Sequence, residues 1–207
     1  TSIEIERKNR FVFEKHQVRF GTCRKLLKLI LSYYLNIAPK AIVFNTNKHG
    51  KPFLHKFPLH FNLSHSGDFM LLGLHKTLAL GVDLEYMKPR NYKGLAAHSF
   101  SKEECTAVNH APDFLIKHVF YQIWCQKEAF IKHDGRGLAY PLADFTVSAN
   151  LNGGLIKLNK GDPERFLLQS FVFNEDVYAA YCLNADSVNP IFFNNASLLK
   201  VMNDSTQ

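Results

Sequence analysis

The chain has 207 residues, of which 46% are hydrophobic, and it carries a formal net charge of +7. This hydrophobic content excludes a chain that is disordered by composition, and without a run of about 18 apolar residues no membrane span is expected. Residues 1–10 are charged and lack the apolar segment of a signal peptide, so we expect a cytoplasmic protein. The positive charge favours an anionic partner, which could be a nucleotide, a nucleic acid or an acidic protein.

The first predicted element is a basic helix over residues 17–35, where apolar residues recur at helical spacing. Lys15 and Arg19 add to its basic character and could contact a phosphate group, although a solvated helix face is the commoner reason for such residues. A short strand is predicted over residues 41–44, and the residues that follow, 45–52, have the composition of a polar turn.

Strands, helices and strands then follow in blocks. Ser101 and Glu104 have the spacing of a capping box, and a long helix is predicted from Pro112 to about residue 133, with its stop at Gly135. Strands are predicted over residues 59–63, 69–74, 78–84, 145–147, 155–158, 166–173 and 177–182. The order of helix, strands, helices and strands predicts an α+β fold.

This order indicates roughly the same α+β unit twice, although the two parts share no residue-level repeat. We expect halves over residues 1–77 and 78–186, followed by a loosely packed tail over residues 187–207. The four cysteines are far apart in the sequence, and no C-x-x-C pair suggests a zinc or redox site. We therefore expect free thiols.

Two carboxylates stand two residues apart in the segment Gly81-Val82-Asp83-Leu84-Glu85. Residues i and i+2 of a strand point the same way, so Asp83 and Glu85 should lie side by side. Two adjacent carboxylates repel each other unless a positive charge lies between them, and Mg²⁺, which prefers oxygen ligands, would meet that need. The alternative is a solvated strand end that carries two surface acids.

The predicted long helix contains Glu128 and Lys132, which are four residues apart and therefore share one face. Glu128 could supply a third metal oxygen or act as a base, and Lys132 could bind a phosphate. An ordinary surface ion pair is the alternative. If the helix lies beside the strand of Asp83, the two sets would form one site.

Two further segments carry groups suited to phosphate or nucleotide. Ser64 and His65 follow a strand and can donate hydrogen bonds to phosphate oxygens, although a histidine with a structural partner in a loop is an alternative. The turn at residues 49–52 can bring a lysine and a flat ring near a nucleotide, or it can serve only as a turn.

Three motifs taken together resemble the signature set of the 4′-phosphopantetheinyl transferases, specifically the surfactin-type class. The motifs are F-N-L-S-H-S, G-V-D-L-E and W-x-x-K-E-A-F-I-K, and a G-K-P turn and the segment G-R-G-L-A-Y-P-L extend the match. The resemblance covers roughly residues 10–185. It implies an enzyme that transfers the 4′-phosphopantetheine arm of coenzyme A to a serine of an apo acyl or peptidyl carrier protein and releases adenosine 3′,5′-bisphosphate.

The resemblance also implies an architecture and a metal site. Similar proteins are monomers built from two like α+β halves, with the active site in the cleft between them. Their residues matching Asp83, Glu85 and Glu128 hold Mg²⁺ on the diphosphate of coenzyme A. Catalysis is implied for Glu128, as the acceptor of the serine proton, and for Lys132, which contacts a phosphate.

Coenzyme A itself is expected to contact a larger set of residues, with phosphates near the serine and histidine, adenine at the G-K-P turn and the 3′-phosphate near the first helix. These positions are Lys15, Arg19, His49, Gly50, Lys51, Pro52, Ser64, His65, Asp83 and Lys132. Phe20 stands where a threonine is expected in close relatives.

The expected partner is an acidic carrier protein, for which the basic charge would speed encounter. Residues 87–100 are a candidate contact segment, with Tyr86, Met87 and Tyr92 as apolar anchors and with Lys88, Arg90 and Lys93 as charges. Neither a membrane nor a nucleic acid is expected as a partner. The alternatives are an Mg²⁺-dependent nucleotide hydrolase and a non-enzymatic basic domain that binds nucleic acid.

Overall fold

The structure is a computed structural model that describes residues 2–150, 153–159 and 161–204. Its elements are a mixture of helices and antiparallel strands, so the predicted α+β class is confirmed. Contacts along the chain divide it into two compact units. The first comprises Thr1–Val43 and Ser187–Gln207, and the second comprises Phe44–Asp186. In the described part of the chain, no helix combines the length and the apolar character needed to cross a membrane.

The first unit is helical. Helix α1 spans Ser2–Asn9 and helix α2 spans Glu14–Leu35, which is three residues longer at its start than predicted. The strand predicted over residues 41–44 is wrong, because Pro39–Ala41 form a 3-10 turn and residues 42–44 pair with no strand in the described chain. A proline at the start of such a turn has its φ already fixed.

The predicted tail contains more structure than expected. Residues 195–204 form a helix, and residues 205–207 lie outside the described residues.

The second unit contains the strands. They lie within three residues of the predicted bounds, and the predicted polar turn is closed by a further short pair, β1 and β2. Their ranges are β1 Asn45–Thr46, β2 Pro52–Phe53, β3 His60–Ser66, β4 Phe69–His75, β5 Leu80–Tyr86, β6 Phe145–Val147, β7 Leu155–Leu158, β8 Leu167–Asn174 and β9 Val177–Leu183. The pairs β1–β2, β3–β4 and β6–β7 are two-stranded, and β5, β9 and β8 form a three-stranded sheet in that order.

Three helices connect β5 to β6, namely α3 over Tyr92–Ser99, α4 over Lys102–His110 and α5 over Asp113–Asp134; the helix at Asn195–Asp204 is then α6. The predicted capping box is confirmed, since Ser101 Oγ accepts from the Glu104 N–H and Glu104 Oε2 accepts from the Ser101 N–H. Helix α5 ends at Gly135, whose φ of 83° is left-handed and therefore suits glycine.

The main core of the second unit forms where α5 packs on the β5–β9–β8 sheet and on β6. Apolar side chains from these elements are almost fully buried, and burial of this kind is the dominant favourable contribution to folding. The buried members include Phe120, Tyr121, Ile123, Ala129, Phe130, Ile131, Phe145, Val147, Leu168, Ala180 and Cys182.

Gly81 allows β5 to approach α5 closely. A Cβ atom at this position would lie 2.0 Å from the Ala129 carbonyl oxygen and 2.2 Å from the His133 nitrogen. Both neighbours are backbone atoms of α5, so no side-chain rotation could relieve the overlap. The missing side chain therefore lets the strand lie directly against the helix, and this contact places the charged residues of the two elements together.

Candidate active site

Strand β5 contributes two carboxylates to its face toward α5. Gly81 marks that face, and the alternation of a strand places Asp83 and Glu85 on it as well. Asp83 is buried and Glu85 is partly buried, whereas Val82 and Leu84 point the other way into apolar packing. The two acids therefore stand where the strand meets the helix.

Helix α5 contributes Lys132 and Glu128 to the same place. The Lys132 ammonium donates to Asp83 Oδ1 at 2.6 Å and to Ser64 Oγ at 2.9 Å. Glu128 lies one helical turn before Lys132 on the same face. The structure thus unites the carboxylate pair with the helix motif, as the sequence suggested it would if the two elements lay side by side.

Strand β3 contributes hydroxyl groups that donate to the two acids of β5. Ser64 Oγ donates to Asp83 Oδ1 at 2.8 Å and Ser66 Oγ donates to Glu85 Oε2 at 2.6 Å. Asn62 Oδ1 accepts from the Val82 N–H at 2.8 Å. These three side chains share one side of β3 and connect it to β5 without a backbone ladder between the two strands.

Asn62 and Ser66 were not among the predicted site residues. With Ser64 they occupy every second position of β3, but the strand predicted over residues 59–63 ended before the two serines, so this alternation was missed. His65 lies between the two serines in the sequence, so its side chain points to the opposite face of β3, and it is exposed. The structure therefore brings Ser64 to the carboxylates but does not bring His65 there.

The pKa values of Glu128 and Glu85 are both raised, chiefly by burial. Burial raises the pKa of Glu128 to about 7, the nearby Asp83 charge adds to the increase, and Lys132 opposes it. Burial also raises the pKa of Glu85, while its hydrogen bond from Ser66 acts in the opposite direction. Negative charge at this site is therefore only partly offset by Lys132.

The two carboxylate oxygens of Asp83 differ in their hydrogen bonds. Its Oδ1 accepts from both Lys132 and Ser64, whereas its Oδ2 is buried and accepts no hydrogen bond from the described residues. Among those residues, no three His, Cys, Asp or Glu side chains are grouped so that they could hold a metal ion as they stand. A buried, unpaired carboxylate oxygen nevertheless has the chemistry of a cation ligand.

Cys125 is part of the same motif but is not suited to nucleophilic chemistry. The side chain is fully buried, and its thiol donates to the Tyr178 carbonyl at 3.5 Å. Burial, and secondarily the charges of Asp83 and Glu85, raise the pKa of this thiol well above its ordinary range. All four cysteines are free thiols, as expected.

The G-K-P turn is attached to the end of α5. Lys51 Nζ donates to the carbonyl oxygens of Leu80 at 3.1 Å and His133 at 3.0 Å. Asn47 Nδ2 donates to the Gly135 carbonyl at 2.8 Å. Burial lowers the pKa of Lys51. The lysine therefore has a structural task here, independent of any ligand.

The other residues of that turn are accessible. His49 and Gly50 are exposed, and Gly50 has a φ of 87°, which favours glycine. Pro52 is partly buried and begins β2. Asn47 Oδ1 shapes the turn by accepting from the backbone N–H groups of His49 and Lys51.

Lys15 and Arg19 lie on α2 in the first compact unit, whereas the other predicted site residues belong to the second. Lys15 is exposed and Arg19 is partly buried. The basic face of α2 is partly neutralised within its own unit, because Glu4 accepts from Lys28 at 2.9 Å and lies 3.5 Å from Arg24 Nε.

One member of the predicted carrier-contact segment is misassigned. Met87 was expected to be an exposed apolar anchor, but it is only 4% exposed, because it packs in the core of the second unit. Lys88, Arg90 and Lys93 are exposed, so the charged part of the segment is accessible.

Comparison with known proteins identifies the same family as the motifs. A model of the 4′-phosphopantetheinyl transferase superfamily matches residues 79–182, and a model described as 4′-phosphopantetheinyl transferase, N-terminal, matches residues 1–76. Together the two models account for most of the chain.

Curated relatives agree with these matches. The 4′-phosphopantetheinyl transferase HetI of Nostoc sp. is 37% identical over 67% of this chain and 61% of its own length. A 4′-phosphopantetheinyl transferase of Bacillus subtilis is 30% identical over 76% of this chain and 70% of its own length. The 4′-phosphopantetheinyl transferase Sfp of Bacillus subtilis (strain 168) is 33% identical over 62% of this chain and 57% of its own length.

The chain spans about three fifths of the length of the first curated relatives it matches. The carboxylates, the lysine and the serine described above all fall in segments that carry the family's motifs. The chain therefore belongs to the 4′-phosphopantetheinyl transferase superfamily.

Proposed function

We propose that the protein transfers the 4′-phosphopantetheine arm of coenzyme A to a serine hydroxyl of an acyl or peptidyl carrier protein, with Mg²⁺ bound at the site and adenosine 3′,5′-bisphosphate as the second product. One observation carries this proposal. In a member of this superfamily, Asp83 and Glu85 stand beside Glu128 and Lys132 where β5 lies against α5.

Asp83, Glu85 and Glu128 would hold the Mg²⁺. The fit rests on the buried, unpaired Oδ2 of Asp83 and on the raised pKa of Glu128, since both indicate that the site lacks positive charge. The bound ion would neutralise charge on the diphosphate and on the leaving bisphosphate.

Lys132 is the proposed phosphate contact. Its side chain is 28% exposed, and two of its N–H groups point to Asp83 and Ser64. An ammonium has three donors, so one remains for a phosphate oxygen. Ser64 is buried between the carboxylate and the lysine, and it therefore orients both groups in addition to any contact of its own.

Glu128 is the proposed acceptor of the serine proton. Without the metal the pKa of Glu128 is raised to about 7; ligation to Mg²⁺ would keep this carboxylate ionised, so that it could accept the serine proton directly or through water. The serine is a weak nucleophile, so a nearby base lowers the barrier to its attack on the β-phosphorus. Most of the remaining effect would come from positioning and charge, as in other phosphoryl transfers.

Coenzyme A would extend from this site along the turn at residues 49–52, with His49 and Gly50 as accessible contacts. The roles of Lys15, Arg19 and His65 at its phosphates remain predictions. The two-halved organisation belongs to the same proposal, and it is supported by the two family models, which abut between residues 76 and 79. A monomer and a cytoplasmic location likewise remain predictions.

The direct test is incubation of the protein with coenzyme A, Mg²⁺ and several apo carrier proteins, followed by intact-mass measurement of each carrier. The proposal predicts that at least one carrier gains one phosphopantetheine arm, and that EDTA or replacement of its acceptor serine by alanine prevents the gain. Cleavage of coenzyme A without any gain in carrier mass would instead support the hydrolase alternative and overturn the proposal.

A further inference from the structure

Lys127 immediately precedes Glu128, but it points away from the carboxylate site. It has no exposed surface. Its ammonium donates to Glu104 Oε2 at 2.8 Å, to the Leu142 carbonyl at 2.7 Å and to the Phe145 carbonyl at 2.6 Å. All three donors of the ammonium are therefore used.

The partner carboxylate is equally constrained. Glu104 is 2% exposed and accepts from the backbone N–H groups of Ser101 at 2.8 Å and Val147 at 2.7 Å. Helix α4, helix α5 and strand β6 thus meet at one buried ion pair. The Phe145 ring packs against the ammonium, with its centroid 4.2 Å from Nζ.

A neighbouring residue of α5 makes contacts of the same kind. Gln126 is also fully buried, donates to the Ser148 carbonyl at 2.8 Å and accepts from the Gly154 N–H at 3.0 Å. Two consecutive buried polar residues of α5 therefore hydrogen-bond to backbone groups beyond the end of the helix, at Leu142, Phe145, Ser148 and Gly154.

Stability alone does not explain such a pair. Removing two charges from water is expensive, and apolar residues of similar volume often give equal or greater stability. An ammonium that donates three short hydrogen bonds, however, can occupy only one position, whereas apolar side chains can pack in several arrangements. The bonds of Lys127 would therefore restrict the rotation of α5 about its own axis.

That rotation matters for the carboxylate site. A side-chain tip lies about 6 Å from the helix axis, so a rotation of about 20° would move it by about 2 Å. The Lys132–Asp83 contact is only 2.6 Å long. A shift of that size would break it and would move Glu128 relative to Asp83 as well.

We propose that Lys127, together with Glu104, is a positioning residue that sets the rotation of α5 and thereby holds Glu128 and Lys132 against the carboxylates of β5. This inference rests on the proposed function for its kinetic test. Lys127 is separate from the reacting groups and acts only through the helix that carries them.

The test is a cycle of variants in the transfer assay. The pair is replaced by Lys127→Met with Glu104→Gln, which removes both charges and roughly keeps the volumes. Lys132→Ala is then made in the wild-type chain and in this double variant. If the double variant displaces the helix, its kcat should fall by about tenfold or more. The further fall in kcat caused by Lys132→Ala should then be at least fivefold smaller in the double variant than in the wild type, because Lys132 is already displaced.

A matched background separates positioning from lost stability. Val108→Ala removes apolar volume from α4 at a fully buried site in the hydrophobic core, and Lys132→Ala should keep its full cost there. If the double variant does not fold, Glu104→Gln alone leaves Lys127 its two carbonyl acceptors and permits the same comparison.

The outcomes are distinct. Lys132→Ala could lower kcat by the same factor in the double variant as in the wild type. That result, or the same result in Glu104→Gln where that variant replaces it, would overturn the positioning role while leaving the proposed function intact. An inactive wild-type chain would instead refute the proposed function.

Discussion

At the scale of residues, the chemistry depends on one lysine, Lys132, which contacts Asp83 and acts electrostatically on Glu85 and Glu128. Lys132 and Ser64 both donate their hydrogen bonds to Asp83 Oδ1. In the described chain, the negative charge of Glu128 has no equally close partner. Burial and the Asp83 charge therefore raise the pKa of Glu128 to about 7. The same features that make it a good proton acceptor make it costly to ionise in the folded protein.

This cost gives a pH-dependent prediction. The folded chain binds the Glu128 proton more tightly than the unfolded chain, whose glutamate pKa is about 4.3, so stability should fall as the pH rises from about 4.3 to about 7. Glu128→Gln should abolish this part of the loss. Urea unfolding in EDTA at a series of pH values measures it, with the exposed Glu175→Gln as control. Parallel curves for the wild type and Glu128→Gln would contradict the assignment.

Lys132→Ala supplies a second prediction at this scale. Loss of the ammonium removes the proposed phosphate contact and leaves Asp83 without its cation, so transfer should fall by about 100-fold or more, as for other lost electrostatic contacts. Lys102→Ala is the control, because Lys102 is an exposed residue at the start of α4. Initial rates at saturating coenzyme A compare the two variants, and equal rates would argue against a phosphate contact at Lys132.

The residue neighbours that could be predicted from the sequence were those set by the regular geometry of strands and helices. The i, i+2 spacing predicted that Asp83 and Glu85 share a face, and the i, i+4 spacing predicted the same for Glu128 and Lys132. Partners far apart in the sequence were not predictable, such as the bonds from Lys51 to the Leu80 and His133 carbonyls. A lysine in a turn carries no local sign of whether it binds a ligand or the backbone.

At the scale of elements, the contact between β5 and α5 decides whether the site exists. Gly81 permits that contact, since a side chain there would overlap backbone atoms of Ala129 and His133. The predicted strands and the long helix were recognisable because their apolar residues recur with the period of each element. The strand predicted at residues 41–44 failed because a proline-initiated turn outweighed a short apolar run.

Gly81→Ala should separate the two elements. The added methyl group has no room, so we expect a loss of about 1–3 kcal/mol in the free energy of unfolding and a loss of transfer. Gly21→Ala provides a matched control, because Gly21 lies in α2 and an added Cβ would lie 3.9 Å from the Lys8 side chain, an ordinary van der Waals distance. Urea unfolding of both variants is the measurement. A Gly81→Ala chain as stable and active as the wild type would contradict the close approach.

At the scale of the whole molecule, the net charge of +7 acts at long range. It was visible in the composition alone, although its partner was not, because positive charge attracts every kind of polyanion. Under the proposed function, that polyanion would be an acidic carrier protein. Exposed Lys88 and Lys93 follow the carboxylate strand and are suitably placed in the sequence to meet it.

Charge reversal tests this choice. Lys88→Glu with Lys93→Glu should lower kcat/KM for an acidic carrier by about tenfold at low salt, and the difference should shrink as salt screens the charges. The KM for coenzyme A should stay within about twofold. Lys157→Glu is the control, because Lys157 is an exposed residue of β7 and its replacement reverses a charge away from this segment. An equal loss in all variants would indicate a general effect of net charge.

The most direct measurement of the central claim is the intact mass of an apo carrier after incubation with coenzyme A and Mg²⁺ and either the wild-type chain or Asp83→Asn. The wild type should add one phosphopantetheine arm to the carrier serine. Asp83→Asn, verified as folded by circular dichroism, should add none even at saturating Mg²⁺. A carrier modified equally well by both chains, or by neither, would contradict the account.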